Sequence, residues 1–149
     1  MNDKYIIYFI SKAKSHMIKF IENNLKEQEL NDLIPTHGNI LTALYESKTK
    51  LTMKDISNKI GKDKSTVTAL ISKLETLGYV KKEKCTMDKR VTYINLTDQS
   101  INIKDKFDII SQKVNQTAYA GLTNDEKKEF LRILKKISIN FKEEIKKSN

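Results

Sequence analysis

The spacing of apolar residues changes period along this chain, and the place of that change constrains the fold more than any other feature. Up to Gly78 apolar positions recur at helical intervals, whereas beyond it, as far as Leu96, they alternate. Ahead of the switch, Thr52-Met53-Lys54-Asp55 is a helix-opening pattern, in which a short acid at the fourth place answers the threonine cap. Met53, Ile56 and Ile60 lie on one face of the helix so opened, and Gly61 ends it. Gly61-Lys62-Asp63 then forms a tight turn, with Asp63 as N-cap of a second helix whose buried stripe is Val67, Leu70, Ile71, Leu74 and Leu77. Gly78 stops that helix. Two short helices about a glycine-containing turn are a helix-turn-helix pattern. Residues 80–85 and 91–96 read as two strands joined by the charged connection 86–90. A helix-turn-helix followed directly by a basic-tipped hairpin is a winged helix.

The flanks are helical. Four Gly and one Pro in 149 residues leave little room for long loops. Residues 5–29 carry a broad apolar stripe through Ile6, Ile10, Ala13, Met17, Phe20 or Ile21, and Leu25, which Leu33 to Pro35 interrupts. A second helix runs over 36–47 through Ile40, Leu41 and Leu44. After the hairpin the spacing predicts a long helix over 97–122, with Ile103, Phe107, Ile110, Val114 and Ala118 in register. Thr123-Asn124-Asp125-Glu126 is another capping box, opening a last helix with Phe130, Leu134, Ile137, Phe141 and Ile145. These stripes are more apolar than a lone helix leaves in water, so the outer helices need each other or a second subunit. The expected architecture is mainly α with a small β-hairpin wing. It comprises an N-terminal dimerisation helix (1–32), a winged helix-turn-helix DNA-binding domain (33–97) and C-terminal dimerisation helices (98–149).

Charge narrows the function. The net charge is +9, and residues 48–90 alone hold 12 basic and 5 acidic residues, a net +7. The other 106 residues carry 16 and 14, a net +2. A local excess of this kind is the footprint of a phosphate-binding face. No apolar run approaches the ~20 residues that cross a bilayer. Tyr5-Ile6-Ile7-Tyr8-Phe9-Ile10 is short and lacks a small-residue cleavage site, so it reads as a helix start and not a signal peptide. The single cysteine, Cys85, excludes an internal disulfide framework and fits a reducing cytosol. No paired carboxylates, Ser-His-Asp set, phosphate-cradling glycine loop or nucleophile elbow appears, so an enzyme reading has almost nothing behind it, and no cofactor is expected.

The ordered series from 51 to 97 resembles the MarR (multiple antibiotic resistance regulator) family of bacterial repressors. Leu51-Thr52-Met53-Lys54-Asp55-Ile56 resembles the family's entry to the helix-turn-helix, and Lys64-Ser65-Thr66-Val67-Thr68-Ala69-Leu70-Ile71-Ser72-Lys73-Leu74-Glu75 its recognition helix. Leu77-Gly78-Tyr79-Val80 follows, and Asp88-Lys89-Arg90 with downstream Leu96-Thr97 matches the wing signature. The resemblance implies a cytoplasmic, intertwined homodimer on a pseudo-palindromic duplex, with recognition helices in successive major grooves and wing arginines in the flanking minor grooves. It also implies release of DNA when a small anionic or aromatic effector binds. Repression by promoter occlusion is the leading reading. Activation from the same fold, and a winged-helix module docking protein or RNA, are the alternatives.

Within that frame Arg90 stands out, because the chain has 26 Lys against only two Arg, Arg90 and Arg132. A weakly hydrated guanidinium suits a narrow, electronegative minor groove, and Asp88 can hold it in place across the turn. Ser65, Thr66, Ala69 and Lys73, with Thr68, form the expected base- and phosphate-facing side of the recognition helix. The family often carries arginine where this chain has Ala69, which removes a bidentate guanine contact and leaves thymine-methyl contact or shape readout. Lys62, Lys64, Lys81, Lys82, Lys84 and Lys89 are phosphate candidates as a group. His16, Met17, Phe20, His37 and Tyr45 are the effector-pocket candidates, set against core packing and helix-start polarity as the plainer role. Two histidines are too few for the zinc sites of metal-sensing relatives. The peroxide-sensing members carry their cysteine near the N-terminus, so Cys85 reads as strand filler. Relatives commonly place a threonine cap at the position of Ile34, and its absence weakens that local cap.

Overall fold

The computed structural model describes residues 3–149 and divides into two compact units, Met1–Val114 and Asn115–Asn149. Residues 1 and 2, the start of the expected N-terminal helical segment, lie outside the described residues. In the first unit a 3-10 turn at Asp3–Tyr5 leads into α1 (Ile6–Glu27), followed by α2 (Pro35–Glu46), β1 (Leu51–Thr52), α3 (Met53–Ile60) and α4 (Lys64–Thr76). Then come β2 (Val80–Lys84), β3 (Thr92–Leu96), α5 (Asp98–Asn102) and α6 (Lys104–Ala118), whose residues 115–118 fall in the second unit. The second unit is built on α7 (Asn124–Lys147).

Local chemistry sets most of these boundaries. Thr52 and Asp55 exchange hydrogen bonds as expected: the Asp55 N–H donates to Thr52 Oγ1 at 3.1 Å, and the Thr52 N–H to Asp55 Oδ2 at 2.9 Å. Gly61 closes α3 at φ 67°, a left-handed conformation that a side chain would disfavour. The Thr66 N–H donates to Asp63 Oδ1 at 2.7 Å, so Asp63 caps α4. Thr123 and Glu126 repeat the reciprocal box at the start of α7.

The core of the first unit lies between α2, α3, α4 and the sheet. Ile40, Leu41, Ile56, Val67, Ile71, Leu74, Val80 and Ile94 are essentially solvent-free. Burying one such side chain stabilises by roughly 1.5–3 kcal/mol, which fixes the angle between the two helices of the helix-turn-helix. The sheet is antiparallel in the order β1-β3-β2, with Val80 opposite Leu96 and Lys84 opposite Thr92.

Two features depart from the expected layout. A third strand, β1, pairs Leu51 with Ile94 and Thr52 with Tyr93. The long helix expected over 97–122 is instead two helices broken at Ile103, and the second stops at Ala118. Ser100 is buried, its carbonyl accepts the Tyr45 hydroxyl, and Ile103 leaves the helical region at φ −97°, ψ 4°. A side-chain bond into the carbonyl ladder is a known cause of such breaks. Gly121, at φ 79°, turns the chain ahead of Thr123.

Candidate nucleic-acid interface

The helix-turn-helix and the wing belong to the same compact unit, and a series of bonds ties one to the other. At the end of α4, Gly78 takes φ 87°, and a Cβ there would come within 2.6 Å of Gln99 Oε1. Thr97 donates its hydroxyl to the Gly78 carbonyl at 2.6 Å and its N–H to the Tyr79 carbonyl at 3.3 Å. These contacts fasten the end of β3 to the end of α4. Lys82, on β2, completes the link: its Nζ donates to Ser72 Oγ at 3.1 Å and pairs with Glu75 at 3.6 Å. Its N–H donates to Glu75 Oε2 at 3.3 Å. Lys82 was a phosphate candidate by composition, yet its ammonium is engaged with the recognition helix.

On α4 the expected division of faces holds. Val67, Ile71 and Leu74 are buried, whereas Lys64, Ser65, Thr66, Thr68, Ala69 and Lys73 are exposed, as is Lys62 in the preceding turn. Thr76, exposed, and Ser72, half-buried, continue the same row and are absent from the sequence-based candidates; helical spacing from Ser65 and Thr68 is the signal that points to them. Several hydroxyls are already committed. Ser65 donates to Asp63 Oδ1 at 3.0 Å, Thr68 to the Lys64 carbonyl at 2.7 Å, and Thr76 to the Ser72 carbonyl at 3.0 Å.

The wing tip is organised around Asp88. Arg90 Nε donates to Asp88 Oδ1 and Nη2 to Asp88 Oδ2, both at 3.1 Å, and the Arg90 N–H donates to Oδ1 at 3.0 Å. The Val91 N–H closes the turn on the Asp88 carbonyl at 3.0 Å. The guanidinium is thus held by a fork-to-fork pair while its side chain stays 91% exposed. Hydrogen bonds from the Arg90 side chain, then its backbone, hold the Asp88 carboxyl below the usual carboxylate range. Lys89 beside it is exposed, and Cys85 is partly exposed with its N–H on the Val91 carbonyl at 2.9 Å.

The five effector-pocket candidates fall in different surroundings. His16 and Met17 are exposed on α1, and Phe20 is half-buried. His37 is buried, with Nδ1 accepting the Ile34 N–H at 3.3 Å, so it supplies part of the helix start that Ile34 itself cannot. Burial, then the charge of Lys73, lowers its pKa below 6.5, with Asp32 acting in the opposite direction. Tyr45 gives its hydroxyl to the Ser100 carbonyl and tilts against Phe107 at 5.7 Å; burial pushes its pKa up to about 12. A cleft of about 420 Å³ between α2 and α3 is lined by Asn39, Thr42, Ala43, Glu46, Lys59 and Ile60, and includes none of the five. Among the described residues no cluster of His, Cys, Asp or Glu has metal-site geometry, and no helix is long and apolar enough to cross a membrane.

Residues 31–91, the span of the helix-turn-helix and most of the wing, match the model of the MarR family. The chain is 31% identical over 136 residues to the HTH-type transcriptional regulator SarZ of Staphylococcus haemolyticus, covering 91% of this chain and 86% of that protein. Its fold is similar to that of MepR from S. aureus, solved as a DNA complex, at 23% identity and a TM-score of 0.80 over 94% and 98% of the two chains. It is also similar to that of BpsR from Bordetella bronchiseptica, whose DNA binding is regulated by 6-hydroxynicotinic acid, at 16% identity and a TM-score of 0.78 over 89% and 92%. With the winged helix in place and SarZ matched over 86% of its length, the chain belongs to the MarR family of winged helix-turn-helix transcription regulators.

Proposed function

We propose that this regulator binds a pseudo-palindromic operator in duplex DNA as a homodimer and represses by occluding a promoter. The observation that carries the reading is the Asp88–Arg90 chelate, which holds an exposed guanidinium at the tip of a wing bonded to the recognition helix. Such a group is preorganised for a narrow minor groove while α4 occupies the adjacent major groove. The net +7 of residues 48–90 supplies phosphate attraction around both.

Homodimerisation is supported by the apolar surface of the outer helices. Ile6, Ile7, Phe9 and Ile10 on α1 are exposed, as are Phe130, Leu134, Phe141 and Ile145 on α7. Apolar surface on this scale marks an interaction site. Release by a small anionic or aromatic effector fits the likeness to BpsR, although His37 and Tyr45 serve the helix start and the core.

Selection of bound duplex from a random pool by the full-length protein tests the proposal. An enriched inverted repeat with half-sites one helical turn apart, protected from nuclease on both halves, is the expected result. Retention of every sequence equally would overturn it. Repeating the binding with phenolic and antibiotic ligands reads the effector directly, as a loss of complex.

A further inference from the structure

The outward row of α4 is chemically unusual for a helix that reads base edges. Between Lys64 and Thr76 there is no Arg, Asn or Gln. The Arg–guanine and Asn- or Gln-adenine bidentate pairings are therefore missing from this helix, and its exposed lysines, Lys64 and Lys73, lie to either side of its outward centre. At about 100° per residue, Ser65, Thr68, Ala69, Ser72 and Thr76 fall on one strip opposite the buried Val67, Ile71 and Leu74. Every side chain on the strip is small, so the helix backbone can approach the groove floor closely.

The hydrogen-bond donors of this strip are largely spent. Each hydroxyl has a single hydrogen, and those of Ser65, Thr68 and Thr76 go to Asp63 Oδ1, the Lys64 carbonyl and the Ser72 carbonyl. Ser72 Oγ already accepts from Lys82 Nζ. Thr68 back-bonded to the carbonyl four residues earlier has its rotamer fixed, and its methyl takes another staggered position on an exposed residue. Beside it Ala69 offers only a methyl. The centre of the recognition surface, at Thr68 and Ala69, therefore offers methyl groups and no free hydroxyl hydrogen.

Among the groups that the major groove displays, one is apolar: the C5-methyl of thymine. We infer that Thr68 and Ala69 are specificity-determining residues that read thymine methyls, so that each half-site is a thymine-bearing A·T-rich step with no guanine at its centre. The inference rests on the duplex-binding reading above and names what that binding selects.

The test uses the selected duplex with deoxyuridine placed at each half-site thymine, which deletes the methyl and keeps the base pair. Affinity of the full-length protein is expected to fall about fourfold per contacted methyl, the worth of one methylene-sized group taken from water. In Thr68→Ser, which keeps the hydroxyl and removes the methyl, the deoxyuridine penalty at the thymine facing Thr68 should vanish. A selected half-site with an invariant central guanine overturns the inference, and so does a specific duplex on which every deoxyuridine is neutral. A pool that yields no specific duplex overturns the binding proposal itself, which separates the two failures.

Discussion

The wing and the recognition helix, held together by Thr97 and Lys82, present opposite kinds of surface. The wing concentrates charge: one of only two arginines sits 91% exposed, with Nε and Nη2 aligned on Asp88. The helix presents a strip of small residues whose hydroxyl hydrogens are mostly turned back on Asp63 and on its own carbonyls. An exposed ion pair adds little to stability, so the Asp88–Arg90 pair is better understood as aiming a side chain than as holding the fold. On the proposed duplex-binding reading this contrast divides affinity from selectivity, and the wing is expected to carry the larger share of affinity.

The largest effect belongs to Arg90. Arg90→Lys keeps the charge but loses the planar fork, so it should forfeit most of what Arg90→Ala forfeits, about 10- to 100-fold in operator affinity. The melting temperature should be unchanged, because the side chain is exposed. Near wild-type binding by Arg90→Lys would reduce the wing to a generic positive charge. Asp88→Asn comes next. It makes the protein more positive, so a purely electrostatic binder would gain affinity. The aiming role predicts a several-fold loss in gel-shift titration.

Smaller effects separate the lysines. Each neutralised phosphate contributes about 0.9 to the slope of log affinity against log salt. Lys62→Met should lower that slope by nearly this amount, whereas Lys82→Met should leave it little changed, because Lys82 is engaged with Ser72 and Glu75. Equal slope changes would contradict the assignment of Lys82 as a link between wing and helix.

The smallest effect is on stability and concerns His37. Its folded pKa is depressed, so as pH falls below about 6.5 the unfolded chain takes up the proton first. The stability contribution is therefore complete above that value and is lost as pH falls toward the folded pKa, at no more than about 1.4 kcal/mol per pH unit. Melting curves between pH 7.5 and 5.5 check this. His37→Gln, which retains an acceptor for the Ile34 N–H without titrating in this range, should flatten the dependence.

Much of the fold was legible from local chemistry. Thr52 with Asp55, Asp63, Gly61, Gly78 and Thr123 with Glu126 announce helix ends through residues three or four apart, and the structure uses each of them. What escaped depends on partners far along the chain. The two-residue strand β1 is too short to show alternation and exists because Leu51 meets Ile94. The break at Ile103 accompanies a bond between Tyr45 and Ser100, 55 residues apart. Arg90 stands out in the sequence because arginine is rare here, and the expected pairing with Asp88 is present, whereas only the structure sets Lys82 apart from its neighbours, beside Ser72 and Glu75. His37 was readable as a histidine near a helix start, but its bond to the Ile34 N–H became visible only with the backbone in place. Family membership also places the chain among transcription regulators and not among enzymes.

The division of labour between wing and helix is tested most directly by one matched titration. Arg90→Ala and Thr66→Ala are each measured against the same selected duplex at the same salt concentration. Arg90→Ala is expected to weaken binding at least several-fold more than Thr66→Ala, with both proteins folded. Equal losses, or a larger loss from Thr66→Ala, would contradict that division.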